Sequence, residues 1–85
     1  MQDSGQHVSF KRDIRPLFRS LDIEHMEPMD VLLDDYTYMS DPDNAQKVYD
    51  FLVGKEQPQM PIGGPYWNEA QLELFSKWMR GGYKP

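Results

Sequence analysis

The sequence predicts a small all-α domain of three main helices joined by long ordered loops. Three observations carry this. Apolar residues recur at helical spacing in three stretches, Phe10–Leu21, Ala45–Leu52 and Leu72–Met79. Residues that start and stop helices bracket the second and third stretches. No stretch reads as a strand, and residues 55–66, KEQPQMPIGGPY, hold three prolines and two glycines, which defeats regular strand pairing.

Residues 1–8 are polar and are expected to be a flexible lead to a domain spanning residues 9–85. In the first helix Phe10, Ile14, Leu17, Phe18 and Leu21 form one apolar stripe at a period of about 3.6 residues. Ser9 is its expected N-cap. Pro16 should remove a backbone hydrogen bond and bend the helix. Residues 22–40 are expected to be a long connection with a short helical turn near Asp34–Met39. Its many apolar residues should wrap the core or cover a site. Asp41-Pro42 opens the second helix, with Asp41 as cap and Pro42 in the first turn, where its missing N–H costs nothing. Ala45, Val48, Tyr49 and Leu52 form its stripe, Phe51 lies beside it, and Gly54 closes it. Asn68 and Gln71 have capping-box spacing at the start of the third helix. Its apolar face is Leu72, Phe75 and Met79, flanked by Leu74 and Trp78, and Gly81-Gly82 ends it.

Composition narrows the function. The 85 residues carry 9 Lys+Arg against 14 Asp+Glu, a net charge of −5. That sign disfavours nucleic acid, whose affinity comes from neutralising phosphates, and disfavours anionic lipid. No apolar run approaches the ~20 residues of a membrane span. The N-terminal residues lack the apolar region of a secretory signal, so a cytoplasmic location is expected, or a periplasmic one if a signal was removed. The absence of cysteine excludes disulfides, thiolate metal sites and cysteine nucleophiles. A staple-free domain of this size gains from a partner, so a protein partner or a homodimer is compatible with the sequence.

Three segments, in order, resemble class I cytochrome c domains. Phe10-Lys-Arg-Asp13-Ile14-Arg-Pro16-Leu17-Phe18 resembles the helix leading into the haem-attachment motif. Leu33-Asp34-Asp35-Tyr36, followed by Asp41-Pro42 and a helix, resembles the middle segment. Gln59-Met60-Pro61-Ile62-Gly63-Gly64-Pro65, followed by a helix with Leu72 and Trp78, resembles the methionine-ligand loop and closing helix. The resemblance implies a Cys-x-x-Cys-His motif after the first helix. Asp22 and His25 stand where its cysteines belong, and Met26 where its histidine belongs. Met60 alone remains, at the place of the distal methionine. The resemblance therefore implies a cytochrome c-like fold that has lost its haem.

An emptied haem pocket would cost roughly 24 cal/mol per Å³ of cavity, so side chains must fill it. The expected fillers are Leu32, Tyr36, Tyr38, Phe51, Tyr66 and Trp67, with Met26 and Met60 as adaptable fillers. An exposed aromatic anchor is the alternative for Tyr66 and Trp67. The generous aromatic fraction, 13%, is what such a replacement needs.

The chain is accordingly expected to be non-enzymatic, with no cofactor, and to have a structural or protein-binding role associated by ancestry with an oxidoreductase system. The alternative is a redox or metal-binding protein. Met60 would then hold non-covalent haem with Met26 or His25 opposite, or those three with Met29 would hold copper, which favours thioether and imidazole ligands. Arg12, Arg15 and Arg19 form a basic ridge on the first helix, a candidate interaction surface. The adjacent carboxylates Asp34/Asp35 and Asp41/Asp43 are read as surface and capping groups. Gly63-Gly64 is read as a turn, since no phosphate-loop pattern surrounds it.

Overall fold

A computed structural model describes residues 7–85. The protein is all-α, with no strand among the described residues. Four α-helices follow one another: α1 (Ser20–Met26), α2 (Tyr36–Met39), α3 (Pro42–Val53) and α4 (Glu69–Arg80). A π-helical turn, Phe10–Ile14, and a 3-10 turn, Arg15–Leu17, precede α1, and a second 3-10 turn, Glu27–Met29, follows it.

The expected first helix is therefore three pieces. Ser9 caps it as expected, its hydroxyl accepting the Arg12 N–H at 3.3 Å, while the Asp13 carboxylate accepts the Ser9 N–H at 2.9 Å. The turn widens because Ile14 N–H reaches back five residues to the Ser9 carbonyl, at 3.3 Å. Pro16 then sits at the start of the 3-10 turn, where its missing N–H leaves nothing unpaired. Phe18 is extended, so the chain leaves the helical path before α1 begins. Phe10, Ile14 and Phe18 are buried as the stripe requires, but Leu21 is 48% exposed because α1 starts on a new axis.

Helix α1 occupies part of the stretch expected to be a connection. Its Asp22 carboxylate accepts the Arg19 backbone N–H at 2.8 Å. Only this half of a capping box can form, since a guanidinium accepts no hydrogen bond. The rest of the connection wraps the core as expected: Val31, Leu33 and Met39 are buried. Asp35 caps α2 by accepting the Tyr38 N–H.

The starts of α3 and α4 follow the sequence signals. Asp41 accepts from Asp43 N–H at 2.9 Å and Asn44 N–H at 3.4 Å. Asn68 and Gln71 form the reciprocal box, at 2.8 and 2.9 Å. Gly54 ends α3 at φ 86°, a left-handed conformation open to glycine at little cost. On α4 the buried centre is Phe75 and Trp78, with Leu72, Leu74 and Met79 half-buried around them. Trp78 thus lies at the middle of the packed face rather than its flank.

A continuous aromatic chain threads the interior. Ring centroids run from Phe18 to Trp67 (5.1 Å), Phe75 (6.2 Å), Trp78 (5.5 Å), Phe10 (5.5 Å) and Tyr36 (5.6 Å). Such pairs contribute about 0.5–1.5 kcal/mol each beyond their buried area. The C-terminal residues close over one end. The Lys84 carbonyl accepts both the Phe10 N–H and the Trp78 indole N–H at 2.9 Å, and the Tyr36 hydroxyl donates to the Tyr83 carbonyl. Of the expected flexible lead, residues 1–6 lie outside the described residues. Val8 is half-buried against the core.

Candidate functional site

The positions singled out by sequence fall on α1 and on the loop before α4. Helix α1 turns about 100° per residue, so His25 and Met26 face different environments. Met26 is closed in the core at 1% exposure, while His25 is exposed. Met29, on the following turn, is also exposed. Met60 is buried at 1%, its N–H bonded to the Phe51 carbonyl at 2.9 Å, which ties the loop to α3. The proposed four-residue copper set is thus divided, two residues outside and two inside. Among the described residues no group of three or more His, Asp or Glu side chains has the geometry to hold a metal ion.

Asp22 is the one buried charged residue among those described. Its carboxylate receives the Arg19 guanidinium through Nη2 at 2.8 Å and Nε at 3.1 Å, besides the backbone bond. Burial pushes the Asp22 carboxyl upward. The side-chain and backbone hydrogen bonds from Arg19, together with its charge, outweigh that and hold it below the ordinary carboxylate value.

The basic ridge is not one helix face, because the chain breaks between its members. Arg12 pairs with Asp13 at 2.6 Å and Arg19 with Asp22 at 2.8 Å, so two of its three charges are locally compensated. Arg15 is half-buried.

Of the expected fillers, Phe51 and Trp67 are buried, and Leu32, Tyr36 and Tyr38 are half-buried. Burial, and then the nearby charges of Asp30 and Asp41, raise the Tyr38 hydroxyl above its usual range. Tyr66 is a correction. It is 55% exposed, because the chain that turns Trp67 inward onto Phe18 and Phe75 sends its neighbour outward.

Tyr66 stands at a cleft of about 380 Å³ between Leu17, the start of α1, the loop after Met60 and the start of α4. Arg19, just before α1, and Asp22 within it line one side, Pro61, Pro65, Tyr66 and Trp67 line it from the loop, and Asn68, just before α4, and Gln71 within it complete the wall. The two tryptophans differ in one respect. The Trp78 indole N–H donates to Lys84, whereas the Trp67 indole N–H has no acceptor among the described residues. In the sequence Asn68 and Gln71 carry only a capping signal, and nothing marks Leu17, Pro61 or Pro65 as cleft residues. The run of Pro, Tyr, Trp and Asn just before a helix was the available signal.

No family model matches the chain, and neither a curated protein nor a solved structure matches it.

Proposed function

We propose that the chain is a haem-free module of cytochrome c-like build with a structural or protein-binding role and no enzymatic activity. The observation that carries this reading is the aromatic chain from Phe18 through Trp67, Phe75 and Trp78 to Phe10, which occupies the interior with the chain's own side chains. Two features support it. Asp22, at the place of the first expected cysteine, is consumed by Arg19. Met26 and Met60, at the places of the two axial ligands, are shut from solvent within the same core. The exposed Tyr66 beside a cleft supplies the kind of aromatic anchor that interfaces favour.

The association with an oxidoreductase system follows from the resemblance alone, since a fold does not fix a function. The net charge of −5 points the module toward protein partners rather than nucleic acid or anionic membranes. Among the described residues no helix is long and apolar enough to cross a membrane.

The test is spectroscopic. Purified protein is expected to be colourless, free of stoichiometric copper, and without effect on the Soret band of added haemin. A saturable Soret shift abolished by Met60→Ala, or bound copper lost in the same variant, would replace this reading with the redox one.

A further inference from the structure

We propose that residues 82–85 form a strap that opens as one unit, uncovering Phe10, Tyr36 and Trp78 while α3 and α4 stay folded.

Four donors from separate parts of the chain end on three successive carbonyls of this segment. The Ser9 hydroxyl donates to the Pro85 carbonyl at 2.9 Å, and the Tyr36 hydroxyl donates to the Tyr83 carbonyl. The Phe10 N–H and the Trp78 indole N–H both donate to the Lys84 carbonyl at 2.9 Å. Phe10 and Trp78 are buried, with ring centroids 5.5 Å apart. One carbonyl thus ties the π-helical turn to α4, and its departure frees both donors together.

Few apolar contacts hold the segment. Gly82, Lys84 and Pro85 are exposed, and only the Tyr83 ring packs inward, edge-on to Trp78 at 5.4 Å. An element fastened by a few bonds near the surface, with little apolar burial, opens at a lower free energy than the core. The backbone is strained at the same place. Tyr83 sits at φ 58°, a left-handed conformation that a bulky side chain adopts only where its surroundings impose it. Here the Trp78 carbonyl accepts the Tyr83 N–H at 3.1 Å, and the Tyr36 hydroxyl holds the Tyr83 carbonyl. Release lets Tyr83 return to an ordinary conformation. Gly82, at φ 97° with open space where a Cβ would stand, is the hinge. Opening and relief of strain therefore occur together, which gives the strap two discrete states.

Native-state hydrogen exchange of the full chain, followed by proton–nitrogen NMR, tests this. After correction for intrinsic rates, the Phe10 amide and the Trp78 indole are expected to share one opening constant, although they are far apart in sequence. That constant should exceed those of the Val48 and Phe75 amides by more than about tenfold and respond little to urea. Tyr36→Phe keeps the ring and removes one bond to the strap, so it should raise the shared constant about fivefold. Gly54→Ala, just after α3, weakens the whole fold without touching a bond of the strap. It should speed Val48 and Phe75 about tenfold and leave the strap pair unchanged. Different constants for the two donors overturn the inference. So does a shared constant that follows urea with the slope of Val48 and Phe75, or one that ignores Tyr36→Phe. Equal acceleration of all four groups in Gly54→Ala overturns it too, because the strap then opens only when the whole domain unfolds.

Discussion

Replacing Asp22 with asparagine isolates the buried charge beside the cleft. The wild-type carboxylate accepts the Arg19 backbone N–H and two guanidinium N–H groups between 2.8 and 3.1 Å. Hydrogen bonds to charged groups contribute about 1.5–3 kcal/mol when shielded. The Arg19 side chain is 45% exposed, and water screens such a pair toward about 0–1 kcal/mol. The asparagine oxygen keeps one acceptor for the backbone bond. The expected loss is therefore about 1–2 kcal/mol at pH 7. The sign with pH follows from the lowered carboxyl. Its folded-state value lies below the ordinary 3.8, so its stabilisation is complete above 3.8 and fades as pH falls through the folded value. Urea unfolding of wild type and Asp22→Asn, in steps from pH 7 to pH 3, reads the difference directly. Other carboxylates titrate in both proteins and cancel. The gap should open at pH 7 and narrow below pH 3.8, where protonated Asp22 and asparagine become equivalent. Equal stability at pH 7, or a gap that stays constant into acid, would refute the reasoning.

Two other substitutions test the core and a helix end. Trp78→Phe removes the donor to Lys84 and part of a fully buried ring, and should cost about 2 kcal/mol, lowering Tm by about 8–16 °C in calorimetry. A near-neutral result would mean that the C-terminal residues do not hold to Trp78 in solution. Gly54→Ala forces a side chain into the left-handed conformation at φ 86° and sets its Cβ 3.0 Å from the Gln59 side chain. Chemical unfolding should register a loss of about 1–2 kcal/mol, and no loss would show that α3 does not end in this conformation.

How much was legible in the sequence depends on the range of the interaction. The starts of α3 and α4 were readable because Asp41, Asn68 and Gln71 bond backbone groups two or three residues away. Gly54 was readable because a left-handed residue after an amphipathic run needs no distant partner. Helix α1 was not readable from apolar spacing. Its buried positions are Asp22 and Met26, four apart, and one of them is charged, while Leu21 at its start faces water. Its register depends on Arg19 neutralising Asp22, which hydrophobic periodicity does not detect. Tyr66 and Trp67 look alike in sequence, yet one is exposed and one buried, because only the neighbouring elements, which set Trp67 against Phe18 and Phe75, decide which points inward.

The sequence by itself determined the all-α class, the two longer helices with their caps, and the burial of Phe10, Ile14, Phe18, Val48, Leu52 and Phe75. These follow from local hydrogen bonds and from apolar period. Tertiary structure alone decided the division of the first helical stretch, the aromatic order from Phe18 to Tyr36, and the closure of Lys84 over Phe10 and Trp78. It also decided the cleft, whose walls come from two segments far apart in the chain, residues 17–22 and 61–71. Each of these depends on packing between residues distant in sequence, where a single apolar or polar character fits many partners and geometry selects one.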